Sequence, residues 1–105
     1  MSLTTDNTYR ALADGTRRGI LDCLLAHGPL RATDLAARFP QISRPAVSRH
    51  VRVLREAGLL EERLQGRERW QHVRPLPLRE VQQWVERYEK FWSVKLDDLA
   101  RLVED

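Results

Sequence analysis

Ser43-Arg44-Pro45-Ala46-Val47-Ser48-Arg49-His50-Val51-Arg52-Val53-Leu54-Arg55-Glu56-Ala57-Gly58 holds a helix start, a one-sided apolar stripe and a helix stop in one short run. Ser43 is placed to accept a hydrogen bond from the first free amides of a helix, and Pro45 falls in the first turn, where its missing N–H does no harm. Val47, Val51 and Leu54 recur at i, i+4 and i+7, a stripe narrow enough to dock one face only. At about 100° per residue, Arg44, Pro45, Ser48, Arg49 and Arg52 lie broadly on the opposite side. The spacing predicts a helix to Ala57, ended at Gly58, with three arginines and a serine on the face that the core does not claim.

Outward from that segment the chain divides at well-marked breaks. Pro40-Gln41-Ile42 is a short connection from a preceding helix, which starts at Ala32 or Thr33, runs to Phe39 and turns Leu35, Ala36 and Phe39 inward. Gly28-Pro29 closes an earlier helix from Gly15 to about Ala26, N-capped by Asp14, with Ile20, Leu21, Leu24 and Leu25 as its stripe. The first helix spans about Thr5 to Ala13. Downstream, Leu59 to Leu64 and Arg69 to Arg74 read as two strands around Gln65-Gly66-Arg67-Glu68, a hairpin that must lean on the helices for stability. The last element runs from Pro77 to about Val103 as one helix, roughly 40 Å long. Its apolar positions are Leu78, Val81, Val85, Tyr88, Trp92, Leu96, Leu99 and Val103, widened by Trp84, Phe91 and Leu102. That face is too wide and long for a chain this small to cover, and a second copy is the simplest cover.

A length of 105 residues suits a single domain over 1–105, with 76–105 as a long C-terminal dimerisation helix. With 42% hydrophobic and 31% charged residues the composition excludes a disordered chain. Net charge is +3 but unevenly spread: 13 Arg face 8 acids up to Leu76, against 5 basic residues and 7 acids beyond. Eight Arg lie between Arg44 and Arg74. The planar guanidinium fork suits phosphate and guanine, which points to a polyanionic partner. Cys23 stands alone, so no intramolecular disulfide forms. The N-terminus lacks the basic start and apolar run of a secretory signal, and no apolar stretch nears the roughly 20 residues that span a bilayer. A cytoplasmic protein with no membrane partner is expected.

Three helices, a tight turn, an Arg-rich helix, a hairpin and a long helix follow the order of a winged helix-turn-helix, mainly α with a small β-hairpin. In such motifs the second helix enters the major groove of double-stranded DNA. Arg44 and Arg49 are then placed for bidentate contacts to guanine, and Ser48, Arg52 and the helix start at Ser43 and Pro45 for phosphates. Arg67 at the hairpin tip, with Arg63 and Arg69 beside it, is placed for the minor groove or its phosphates. Trp84, Tyr88, Phe91, Trp92 and Leu99 form the expected homodimer interface along the last helix. The same aromatic cluster could instead line a gap for a small apolar effector. The rival from another class is a protein-interaction module that uses the aromatic C-terminal helix and leaves the basic face idle. No glycine-rich phosphate loop, nucleophile elbow or HExxH pair suggests an enzyme.

Two runs carry a family resemblance: Tyr9-Arg10-Ala11-Leu12-Ala13-Asp14-Gly15-Thr16-Arg17-Arg18-Gly19-Ile20-Leu21, and Ser43 through Leu60. Both resemble the ArsR/SmtB-like family of bacterial winged helix-turn-helix regulators, the second run matching its recognition-helix signature. The resemblance implies a homodimeric repressor that occupies a promoter palindrome and pairs through its first and last helices, which adds Tyr9 and Leu12 to the expected interface. The chain departs at Arg44, where many relatives carry a polar amide, which bears on the preferred base and not on the docking mode. Metal sensors of the family place paired Cys on the third helix, or His and acidic ligands along the last. Here Arg31 to Arg38 contains neither Cys nor His, and the last helix contains no His. A zinc site needs three or four converging ligands, so no metal and no cofactor is expected, and the segment Trp84, Tyr88, Phe91, Trp92 resembles the non-metal-sensing subgroup. Cys23 and His27 share a helix face at i, i+4 but are two ligands only, read as a buried Cys and a helix-end His.

Overall fold

Capping residues set the helix boundaries. In the computed structural model, which describes residues 3–104, Asp14 Oδ1 accepts the Arg17 amide at 3.1 Å and starts α2 (Gly15–His27). Ser43 Oγ accepts the Ala46 amide at 3.2 Å and starts α4 (Arg44–Glu56). Each bond satisfies an amide that a helix start leaves without an intrahelical partner. Gly28, at φ 82°, closes α2 by donating to the Leu24 carbonyl at 2.8 Å. The end of α1 (Leu3–Leu12) is held from outside. Arg17 donates through Nε to the Ala11 carbonyl at 2.7 Å and through Nη2 to that of Arg10 at 3.1 Å, and Arg18 Nη1 donates to Leu12 at 2.6 Å. Two cations thus meet the carbonyl end of α1, where the helix dipole favours them.

Val47, Val51 and Leu54 are buried as the spacing predicts, against Leu35 of α3 (Ala32–Ala37), Ile20, Leu21 and Leu24 of α2, and Ala11 of α1. Ala57, Leu59 and Leu60 complete the core. The α2 stripe is narrower than its sequence suggests, because Leu25 is 78% exposed. It rims a groove of about 330 Å³ with Leu12, Leu21, Val73 and Leu78 instead of entering the core.

The hairpin pairs β2 (Leu60–Gln65) with β3 (Glu68–Val73) in register from Leu60↔Val73 to Gln65↔Glu68. The turn is therefore Gly66-Arg67 alone, tighter than the four residues expected. Gly66 takes φ 67° and Arg67 a negative φ, the pattern of a type II′ turn, which matches the twist of the flanking strands. A strand not foreseen, β1 (Leu30–Arg31), joins the other edge of β3 antiparallel, so the sheet order is β1-β3-β2. Two residues after Pro29 carry no alternation by which to recognise it.

The single last helix expected from Pro77 is divided into α5 (Leu78–Glu86) and α6 (Glu89–Glu104). The amides of Arg87 and Tyr88 reach back three residues, to the Trp84 and Val85 carbonyls, before Trp92 resumes the i−4 pattern with Tyr88. This tight turn interrupts the helix without any Gly or Pro to announce it. Asp105, the last residue of the expected segment 76–105, lies with Met1 and Ser2 outside the described residues. The molecule measures 61 × 32 × 21 Å, and its radius of gyration of 17.6 Å exceeds the ~13 Å of a compact chain this long. The described side chains of α6 are all exposed. No described helix is long and apolar enough to cross a membrane.

Candidate nucleic-acid interface

On α4 the residues that the core leaves free are those the spacing singled out. Ser43, Arg44, Pro45, Ser48, Arg49 and Arg52 are exposed, while Val47, Val51 and Leu54 face inward. Among the described residues Arg44, Arg49 and Arg52 meet no carboxylate and make no side-chain hydrogen bond. Three unneutralised guanidinium groups on one face of a helix roughly 20 Å long present donors without acceptors, and a polyanion supplies what they lack.

His50, between Arg49 and Val51, is half-buried and has a definite partner. Its Nδ1 lies 3.3 Å from Arg17 Nη1, the side chain that also holds the end of α1. Because a guanidinium only donates, Nδ1 is the acceptor in this contact. Arg17 thus ties α4 to α1. The Asp14 carboxyl nearby is held below the usual aspartate range, first by the Arg17 amide and then by the Arg17 charge. Sequence reasoning missed this role of Arg17. The available signal was a basic pair, Arg17-Arg18, directly after an N-cap.

The three wing arginines differ from one another. Arg67, in the turn, is exposed and unpaired among the described residues. Arg63 Nη2 lies 3.1 Å from Glu61 Oε2, a hydrogen bond that holds the Glu61 carboxyl below its usual range. Arg69 Nη1 lies 3.6 Å from Glu62 Oε2. Exposed pairs like these stabilise by about 1 kcal/mol at most, so phosphate oxygens can replace the carboxylates. At the wing base Arg31 stands 5.8 Å from the Trp70 ring centroid and pairs with Asp34 at 2.9 Å and Glu68 at 3.3 Å.

The apolar residues separate into two groups. Tyr9 of α1 meets Trp84 edge-on at 5.8 Å, and Trp84 meets Tyr88 the same way at 5.5 Å. Leu12 packs on the core beside them. Phe91, Trp92 and Leu99 lie farther along, on the projecting α6, and are 57%, 53% and 57% exposed. Val85, Trp92 and Leu96 line a groove of about 550 Å³ with Gln82, Glu86 and Glu89. Among the described residues no three His, Cys, Asp or Glu side chains gather closely enough to hold a metal ion. His27 Nε2 takes a hydrogen bond from Arg38 Nη1 at 3.1 Å, and Cys23 packs half-buried against the core.

A fold of this shape with this basic helix has close relatives. A helix-turn-helix domain family matches residues 12–63, from the end of α1 into β2. The HTH-type transcriptional regulator Rv2034 of Mycobacterium tuberculosis is 41% identical over 99 residues, covering 94% of this chain and 88% of that protein. The arsenical resistance operon repressor of Escherichia coli is 35% identical over 98 residues, 92% of this chain and 80% of the relative. The chain belongs to the ArsR family of winged helix-turn-helix transcriptional regulators. Like those relatives, this ArsR-family chain is a DNA-binding regulator and not an enzyme. Among solved structures, a homodimeric winged helix-turn-helix DNA-binding domain from Mycobacterium bovis superposes with a TM-score of 0.63 at 26% identity, over 81% of this chain and 80% of its own.

Proposed function

We propose that this chain is a homodimeric repressor that binds a palindromic operator, with α4 in the major groove and the 63–69 wing at the adjacent minor groove. One observation carries this reading: among the described residues Arg44, Arg49, Arg52 and Arg67 stand exposed and unpaired, while Arg55, Arg63 and Arg69 beside them are held by carboxylates. Arg44 and Arg49 read base edges. Ser48, Arg52 and the exposed amides at the helix start beside Ser43 and Pro45 meet phosphates, and Arg63, Arg67 and Arg69 serve the wing contact. The chain works as one domain over 1–105, whose 76–105 segment pairs two copies through Tyr9, Leu12, Trp84, Tyr88, Phe91, Trp92 and Leu99. The exposed apolar run on α5 and α6 and the homodimeric Mycobacterium bovis relative support that pairing. Two α4 helices then enter successive major grooves about 10–10.5 bp apart. The repressor acts in the bacterial cytoplasm and senses no metal. A small apolar effector, if one acts here, fits the groove beside Trp92 and Leu96 and works by favouring one arrangement of the two copies.

The test is binding of the purified protein to the DNA upstream of its own gene against a scrambled duplex, at several salt concentrations, with and without zinc. A preference of about 10³ or more for its own upstream DNA, indifferent to zinc, is expected. Equal and steeply salt-dependent binding to both duplexes would overturn specific repression at that promoter. A zinc-dependent affinity would overturn the metal-free reading.

A further inference from the structure

We propose that Glu62 is a positioning residue for the wing: its carboxylate ties the hairpin to the DNA-reading helix and so decides which flanking base pairs Arg67 reaches. This rests on the reading of α4 and the wing as the DNA contacts. Glu62 stands where the ribbon leaves the body of the protein. Leu60 at the base of β2 is buried and Glu62 half-buried, whereas Arg63, Leu64 and Gln65 are exposed. Across the ladder its partner is Gln71, 1% exposed and the last fully buried residue of β3 before the tip.

Three side chains, from α4 and β3, converge on this one carboxylate. Glu62 Oε1 accepts Gln71 Nε2 at 2.9 Å and Arg55 Nη1, from the last turn of α4, at 3.4 Å. Glu62 Oε2 lies 3.6 Å from Arg69 Nη1, farther out on the wing. The Gln71 Oε1 atom is buried without a partner, so the bond to Glu62 is what orients this amide. On the opposite edge β1 lies against β3, and Arg31 binds Glu68 at 3.3 Å, which holds the ribbon to α3. Of these restraints, only Glu62 joins the ribbon by side-chain hydrogen bonds to the helix that enters the groove.

The lever is long enough to matter. Three residue pairs beyond the pivot extend about 10 Å. A swing of about 15° would therefore move Arg67 by about 2.5 Å, well beyond the tolerance of a hydrogen bond. The partners of Glu62 are all donors, two of them cationic, so the site asks for a carboxylate and not for bulk.

The experiment selects binding sites from a pool of randomised duplexes with the full-length wild type, Glu62→Gln and Arg55→Gln. Gln at 62 keeps an acceptor for the buried amide, and Arg55→Gln leaves the Glu62–Gln71 bond intact, so the pair guards against loss of fold. The wild type should enrich a half-site core together with a flanking preference. Both variants should keep the core and lose at least about fivefold of the flanking discrimination, and the double variant should lose no more than either single one. Core and flank preference falling together would mark a merely structural role and overturn the proposal. An unchanged flank preference would overturn it too, even with tighter binding from freed arginines, as would a wild type that selects a core and no flank. A wild type that enriches nothing would instead refute specific DNA binding itself, and this proposal with it.

Discussion

Replacing Trp92 by Glu tests the pairing of two copies where the structure gives a magnitude. Trp92 is 53% exposed on α6. A Trp side chain offers about 150–250 Å², so about 100 Å² remains to be covered by a partner. At about 25 cal/mol per Å² that area stabilises by about 2.5 kcal/mol per copy. A two-fold interface counts each substitution twice, about 5 kcal/mol in all, or roughly 10³–10⁴ in the dimer dissociation constant. The introduced carboxylate adds to this, since an unpaired charge in an apolar interface is costly, and Glu89 already stands one turn away. The assay is sedimentation equilibrium across a concentration series, with circular dichroism to confirm the fold, which should survive because Trp92 lies outside the core. Monomers that also lose palindrome binding are expected. A dimer constant within tenfold of wild type would remove Trp92 from the interface and refute the reasoning.

Arg49→Ala should weaken specific binding by about 1–3 kcal/mol and relax base preference at one position per half-site; equal losses on operator and random duplexes would make Arg49 a phosphate contact. Gly66→Val should destabilise the fold by about 1–2 kcal/mol in chemical denaturation, because Gly66 sits at φ 67° and its Cβ would meet only open space, leaving backbone strain as the sole cost. Loss of the Asp14 cap should appear as acid sensitivity. The folded carboxyl titrates below its usual range, chiefly through the Arg17 amide. An unfolded aspartate titrates near 3.9, so the stabilisation is full above about that pH and is lost as pH falls through the lower folded value. Asp14→Asn keeps an acceptor without titrating, and its melting temperature should fall less steeply than that of wild type below about pH 4; parallel curves would assign the acid loss to other groups.

Helix α4 is almost wholly legible in the order of its residues. Ser43 caps it, Pro45 opens it, and Val47, Val51 and Leu54 are buried. The wing is legible as a hairpin but not in register, since Gly66 can turn within either a two-residue or a four-residue loop. The difference among its arginines is not legible at all. Arg63, Arg67 and Arg69 look alike along the chain, yet among the described residues two find carboxylates and one does not. Leu25 misleads because it adjoins the apolar stripe by helical angle, while no described element covers it and it stays 78% exposed.

What the sequence by itself determined is whatever closes within a turn or two of chain. A cap reaches three residues ahead, as in Asp14 to Arg17 and Ser43 to Ala46, and a stripe repeats every three or four. Such bonds form in nearly the same geometry whatever the rest of the molecule does. Only the tertiary structure decided that Arg17 would meet His50 across 33 residues, that Arg55, Arg69 and Gln71 would converge on Glu62, and that Tyr9 would stand against Trp84. A long side chain chooses among several partners by which elements pack within its reach. That choice is settled by burial of the common core, and no local pattern encodes it.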